Sequence, residues 1–311
     1  MAVLKSHDPA RPPQSLAARS LVGRAPGCAV RLEDPSVSAE HASIFWTGAR
    51  WELRDLASRN GTFVDAVKVG AGKRVPLRNG VEIAFGSAAE TWTLADELPP
   101  VASARRARGK AVRVAEHGLL VLPSEKNPRV SVIEIDPGHW LVEDHGASRP
   151  AVDQELLEAD GAWVLSVPPP LPAGAVDTTR RVSRAAPVLS NVTLDFAVSR
   201  DEEHVELSVV HASGVTPLPA RAHHYLLLTL ARARQTAAAS SDLPAAEHGW
   251  LHVEELGDML RLDPQHLSVL IFRAREQLAT SGVGNAGALI ERRPSTRQLR
   301  LGTDRVVVRT A

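Results

Sequence analysis

LVGRAPGCAVRLEDPSVSAEH at residues 21–41 and WELRDLASRNGT at residues 51–62 decide how the first third of this chain folds. The runs Ala29–Leu32, Ala42–Trp46, Trp51–Asp55, Val67–Val69 and Val81–Phe85 are short and apolar, with Gly, Asn, Asp and Pro between them. Such runs, spaced by about ten residues, predict a β sandwich rather than alternating strands and helices. Pro99-Pro100 closes the unit. Residues 1–18 are rich in Pro, Ala, Arg and Ser and are expected to form a flexible tail, which bounds the sandwich at 19–98.

Within this unit the polar residues suit a phosphate. Gly23-Arg24 supplies a planar cation with several donors, the preferred partner of a phosphate dianion. Ser38, in Ser38-Ala39-Glu40-His41, adds a hydroxyl. Ser58-Arg59-Asn60-Gly61-Thr62 adds a second cation, a carboxamide and a glycine that permits a tight turn. In this order the pieces resemble the forkhead-associated (FHA) domain family. The resemblance implies an eleven-stranded sandwich with phosphothreonine bound by loops at one end. It places Arg24 and Ser38 at the phosphate, Arg59 at the phosphate or the peptide backbone, and Asn60 on that backbone. Gly23, His41, Gly61 and Thr62 are expected to support the site. Val64-Asp65-Ala66 departs from the family's usual Val-Asn-Gly, which weakens the second turn but not the phosphate site.

The bulk numbers leave room for more than one domain: the chain has 311 residues, 44% of them apolar. Net charge is zero, but it is unevenly placed. Residues 115–160 carry 10 acidic and 3 basic side chains, whereas 211–311 carry 9 acidic and 12 basic. Cys28 is the single cysteine, so no internal disulfide is possible, as suits a reducing compartment. No run approaches the length of a membrane span, and a soluble cytoplasmic protein with no membrane partner is expected.

Residues 99–111 read as a linker. Residues 112–168 read as a small all-β module with turns at Asp136-Pro137-Gly138 and Asp160-Gly161. A second linker is expected at 169–188, around Pro168-Pro169-Pro170. From 189 to 311 two strand-like runs precede three helical stretches: Ala222–Ala239, Val253–Leu260, and one opened by Asp263-Pro264. An Asp cap followed by Pro at the first helical position is a strong start signal. A hairpin over Ile290–Leu301 follows. This order resembles the winged-helix output domains of bacterial response regulators, so the fold class expected is multidomain: mainly β with a C-terminal α+β unit. In the third helix Leu267, Leu270, Ile271, Ala274 and Leu278 share an apolar face. Ser268, Val269, Arg273 and Gln277 are left for DNA, with Arg292, Arg293, Arg297 and Arg300 on the wing. Glu254-Glu255 is expected to face away from DNA.

No catalytic residues, metal ligands or cofactor site are expected. His223-His224 are adjacent on a helix and point apart, a poor metal pair. No nucleophile elbow or phosphate loop is present. The expected function is a phosphothreonine-peptide-responsive bacterial transcriptional regulator. Its implied partners are a phosphothreonine-containing protein, a Ser/Thr kinase or its substrate, and double-stranded DNA. The alternative is a non-enzymatic adaptor whose C-terminal unit contacts proteins.

Overall fold

In the computed structural model the described residues are 2–109, 111–136, 138–144, 146–169, 187–240, 243–293 and 296–310. They group into two compact units. One holds 2–105 with 152–155 and 164–169; the other holds 106–151 with 156–163 and 187–310. The stretch expected as a separate module, 112–168, is thus divided between the two. Most of the expected 169–188 linker lies outside the described residues.

The first unit contains β1 (Val3–Ser6), β2 (Gln14–Ser15), β3 (Arg19–Gly23), β4 (Val30–Arg31), β5 (Ala42–Trp46), β6 (Trp51–Asp55), β7 (Thr62–Val64), β8 (Val67–Lys68), β9 (Arg74–Leu77), β10 (Glu82–Phe85) and β11 (Thr91–Asp96). They form two sheets, ordered β2-β1-β11-β10-β7-β8 and β4-β3-β5-β6-β9. Alternation along the strands sends Ile44, Leu53, Ile83 and Leu94 inward, where they pack with Trp51, Phe85 and Trp92. The tail expected at 1–18 is instead part of the sandwich. β1 pairs with β11, Leu4 opposite Leu94, and Ala2, Leu4 and Leu16 are fully buried. Three apolar residues scattered among prolines and charges make a weak pattern in sequence, yet each fills a core position.

The expected linker 99–111 likewise holds a strand, β12 (Ser103–Arg106), with Ala102, Ser103 and Ala104 buried. Small side chains bury without producing an apolar run in the sequence. Next along the chain come β13 (Val112–Val114), β14 (Leu119–Ser124), β15 (Asn127–Asp136), β16 (His139–Asp144), β17 (Ala147–Pro150) and β18 (Leu156–Glu158), all in the second unit, and β19 (Ala162–Ser166), whose last three residues belong to the first. The strands β14-β15-β16-β17 form an antiparallel meander with Val132 opposite Val142.

The C-terminal residues add β20 (Thr193–Val198), β21 (Val205–His211), β22 (Gly214–Leu218), α1 (His223–Ser240), β23 (Leu251–His252), α2 (Val253–Leu260), α3 (Pro264–Thr280), β24 (Ile290–Arg292), β25 (Gln298–Leu301) and β26 (Val306–Thr310). One sheet runs β22-β21-β20-β26, with β20 and β26 parallel; a smaller one runs β23-β25-β24. The Asp263 carboxylate accepts from the amides of Gln265 and His266 and caps α3, and Pro264 opens the helix. Leu194, Phe196, Leu226, Leu230, Leu256, Leu267, Ile271 and Leu299 form its core, which also takes in Leu119, Val121 and Ile133 of the meander. The meander and the helices therefore share one hydrophobic core.

Candidate functional site

Three loops of the first unit meet at one end of the sandwich. β3 ends at Gly23, where a Cβ would lie 2.3 Å from the Ala39 carbonyl oxygen, so only glycine fits. Just beyond it, the Arg24 amide donates to Ser38 O at 3.0 Å and the Ala25 amide to Ala39 O at 2.9 Å. These bonds fasten the loop carrying Arg24 to the loop carrying Ser38. Arg24 is exposed; its Nε donates to Val37 O at 2.6 Å, and it has no carboxylate partner among the described residues.

Ser38 Oγ accepts from the Arg59 amide at 3.0 Å, which joins the second loop to the third. Asn60 Nδ2 donates to Ser36 O at 2.7 Å, and its side chain is otherwise exposed. Gly61 holds a φ of +87°, a left-handed conformation glycine adopts without strain. The structure thus brings Arg24, Ser38, Arg59 and Asn60 to one loop cluster at an open surface.

The support is buried. His41 is fully buried; its Nδ1 accepts from the Ser38 amide at 3.0 Å and its Nε2 donates to Gly61 O at 3.2 Å. That pattern requires the neutral ring, and burial pushes its pKa below the ordinary value against the pull of Gly61 O and Asp55. His41 therefore clamps the Ser38 loop to the Asn60 turn. Thr62 Oγ1 donates to Asp55 Oδ2 at 2.7 Å, and Ser58 Oγ to the same oxygen at 2.6 Å. Burial opposes ionisation of Asp55, but these hydroxyls and the Ser58 amide outweigh it and hold the carboxyl below its usual range.

One residue at this end escaped the sequence reading. β8 pairs with β7 so that Lys68 stands opposite Phe63, and its side chain lies across Gly61: a Cβ there would sit 2.6 Å from Lys68 Cε and 3.3 Å from Nζ. Lys68 too has no carboxylate partner among the described residues. The signal was the two-residue turn between β7 and β8. Asp65 and Ala66 take φ of 47° and 64°, so the turn forms with both central residues left-handed despite lacking Asn-Gly.

The C-terminal face expected to meet DNA is arranged differently. Arg273 is exposed and without a carboxylate partner among the described residues, and Val269 is half-buried beside it. Ser268 Oγ donates back to Pro264 O at 3.0 Å. Gln277 points inward: its Oε1 accepts from His223 Nε2 at 2.6 Å and His224 Nε2 at 2.8 Å, and its Nε2 donates to Pro219 O at 2.7 Å. The expected outward role of Gln277 is corrected, because it satisfies two buried imidazoles. These imidazoles converge instead of pointing apart, since they open α1 where it meets α3. Burial pushes the His223 pKa down to about 4, against the bond to Gln277.

The wing arginines are each engaged. Arg292 Nε donates to Glu143 Oε2 at 3.1 Å, and its side chain is 8% exposed. Arg275 of α3 is 1% exposed and forks onto the same carboxylate, at 2.8 Å from each terminal nitrogen. Burial works against the charge on Glu143, but the two guanidiniums outweigh it and hold its carboxyl below the usual range. Arg293 pairs with Glu247, Arg297 with Glu254 at 2.6 Å, and Arg300 with Glu291 at 2.7 Å. Arg293 and Arg300 also stack on Trp250, at 4.6 and 4.5 Å. Glu254 therefore faces the wing, not away from it. Each of these four arginines is tied to an acid of its own unit, as their spacing in sequence did not reveal.

Among the described residues no group of three or more His, Cys, Asp or Glu is placed to hold a metal, and no helix is long and apolar enough to cross a membrane.

Comparison with known proteins bears on the unit that carries the first of these two surfaces. Residues 21–86 match the FHA domain family. The chain is 40% identical over 63 residues to the FHA domain-containing protein FhaB of Mycobacterium tuberculosis, a stretch that is 20% of this chain and 41% of that protein. It thus spans less than half the length of that curated relative. A solved FHA domain from a structural and functional analysis of phosphothreonine-dependent FHA domain interactions is 28% identical, covering 32% of this chain and all of that one, with a TM-score of 0.29. Mycobacterium tuberculosis EmbR in complex with a low-affinity phosphopeptide is 27% identical, covering 32% of this chain and 25% of that one, also with a TM-score of 0.29.

Proposed function

We propose that the chain is a phosphothreonine-responsive regulator in which residues 19–98 bind a phosphothreonine-containing segment and residues 189–311 are a winged-helix DNA-binding output. The first half rests on one observation: Arg24 is an exposed guanidinium without a carboxylate partner among the described residues, tied by backbone bonds to the Ser38 loop, whose hydroxyl in turn holds the loop that presents Asn60. An unpaired cation held beside a hydroxyl and backbone donors is suited to a dianion. The partner is a phosphorylated protein, a Ser/Thr kinase or a kinase substrate. No catalytic step is part of this reading.

Calorimetry on the full chain with matched phosphothreonine, phosphoserine and unmodified peptides tests it. The phosphothreonine peptide binds and the unmodified one does not. Phosphoserine binds a few-fold more weakly, because it lacks a methyl whose burial contributes about 0.8 kcal/mol. Equal binding of phosphorylated and plain peptides removes the assignment.

The order of sheet, three helices and hairpin, with Arg273 open on α3, supports the DNA half. A specific observation favours the second reading, an adaptor: Arg275, Arg292, Arg293, Arg297 and Arg300 are all spent on acids within the unit. Titration of duplex DNA at several salt concentrations decides between the two, because phosphate contacts make affinity fall steeply with salt.

A further inference from the structure

The expected DNA-reading helix is enclosed on two sides. Leu267, Ile271, Ala274 and Leu278 face the C-terminal core. A second stripe, Gln265, Ser268, Phe272, Arg275 and Ala279, follows at helical spacing and meets the β14–β17 meander. Gln265 Nε2 donates to Asn127 Oδ1 at 2.8 Å at one end of β15. Phe272 and Ala279 line a cavity of about 370 Å³ with Leu119 and Val121 of β14. Arg275 forks onto Glu143 of β16, and Arg292 of the hairpin joins it there. At the far end of β15, Gly287 lies so close that a Cβ would stand 2.7 Å from Glu134 O. This leaves His266, Val269, Arg273 and Thr280 as the open edge of α3.

An α-helix with its side chains is about 10–12 Å across, and the DNA major groove is about 12 Å wide. A helix with a four-stranded sheet along its flank does not fit that space. Meanwhile the Glu143 carboxylate takes the two-pronged guanidinium contact that a backbone phosphate takes from arginine.

We infer that the β14–β17 meander is an internal ligand of the α3–hairpin face, with Glu143 standing where a nucleic-acid phosphate binds, so that DNA and the meander compete for Arg275 and Arg292. The inference rests on the DNA half of the proposed function. It accounts for a C-terminal unit with the element order of a DNA reader but with Arg275 and Arg292 turned inward. Opening also separates Leu119, Val121 and Ile133 from the core, so the closed form predominates until a competing polyanion or a partner shifts it.

The test uses the full chain and a duplex library of random sequence, read by fluorescence anisotropy at 50 and 200 mM salt. Glu143→Gln keeps the shape and removes the charge; its DNA affinity rises at least tenfold over the parent chain, and hydrogen exchange of the α3 amides rises with it. Because Glu143→Gln strands two buried guanidiniums and can fail to fold, a second protein carries Asn127→Cys and Gln265→Cys, joined by a short bis-maleimide. The joined chain binds DNA at least tenfold more weakly than the same variant left unjoined. Joined and unjoined chains that bind DNA equally overturn the competition while leaving the DNA reading intact. If no form binds DNA, although α3 exchange shows that Glu143→Gln has opened the face, the DNA reading fails and the inference with it.

Discussion

The two basic surfaces of this molecule use arginine in opposite ways. At the loop end of the sandwich Arg24 and Arg59 are exposed, without carboxylate partners among the described residues, and held by backbone bonds. On the C-terminal hairpin four arginines are paired with acids, and one of them, together with Arg275, closes on a buried glutamate. A cation left unpaired at a loop costs little, because water solvates it, and it is ready for a ligand. A guanidinium taken out of water must have its counter-charge, so its partner is part of the fold. An Arg-rich segment in a sequence is compatible with either use.

The sharpest way to break this contrast is to remove a charge on each side. Glu143→Ala leaves Arg275 and Arg292 buried without compensation and is expected to destabilise the second unit by about 3–5 kcal/mol, read by denaturant unfolding. A loss below about 1 kcal/mol would show that water reaches the cluster. Arg24→Ala has the complementary profile. It is expected to weaken phosphothreonine-peptide binding by about 1.5–3 kcal/mol, the scale of a charged hydrogen bond, while stability moves within about 0.5 kcal/mol. If Arg24→Ala unfolds the sandwich instead, the arginine is scaffold and the contrast disappears.

Acid sharpens the comparison next. His223 is neutral in the folded chain with a pKa of about 4, against an ordinary 6.5. The unfolded chain takes up the proton first as pH falls, so stability present above pH 6.5 is lost progressively down to about pH 4. By pH 5 the loss from this one group amounts to about 2 kcal/mol, at 1.36 kcal/mol per unit. The buried His41 shifts in the same direction and makes the sandwich acid-sensitive in the same sense. Urea unfolding at pH 7 and pH 5, repeated with His223→Gln, separates the contributions; an unchanged pH dependence in that variant would clear His223 of the effect.

The smallest change expected is at the turn beside the phosphopeptide loops. Ala66 holds φ +64°, so Ala66→Gly relieves a left-handed alanine and is expected to raise the thermal midpoint, by a gain of about 0.5–1 kcal/mol. Peptide affinity is expected to remain unchanged. A change in affinity would place the β7–β8 turn, and with it Lys68, in the binding surface.

Local patterns were legible wherever the chain decides its own conformation. Val253–Leu260 is a helix with the expected bounds, and Asp263-Pro264 caps α3 through its own next two amides. The Gly23, Ser38 and Asn60 segments carry their loop chemistry within a few residues of themselves, and the family match at 21–86 covers the same stretch. Short apolar runs between turn residues marked β4, β5, β6, β8 and β10 of the sandwich, because such runs need no distant information, whereas the other six strands were not marked.

Tertiary structure alone decided what lies across the chain. Ala2, Leu4 and Leu16 became core because β11, some ninety residues on, offers β1 a partner edge. Glu143 and Arg292 stand 149 residues apart, and neither neighbourhood announces the other. Gln277 turned inward because two histidines of α1 needed an acceptor. Secondary structure and loop motifs follow from short-range sterics and hydrogen bonds, which a sequence window contains. Whether a charged side chain is a ligand site or a structural tie depends on which desolvated group the fold places beside it, and that is fixed only once distant segments pack.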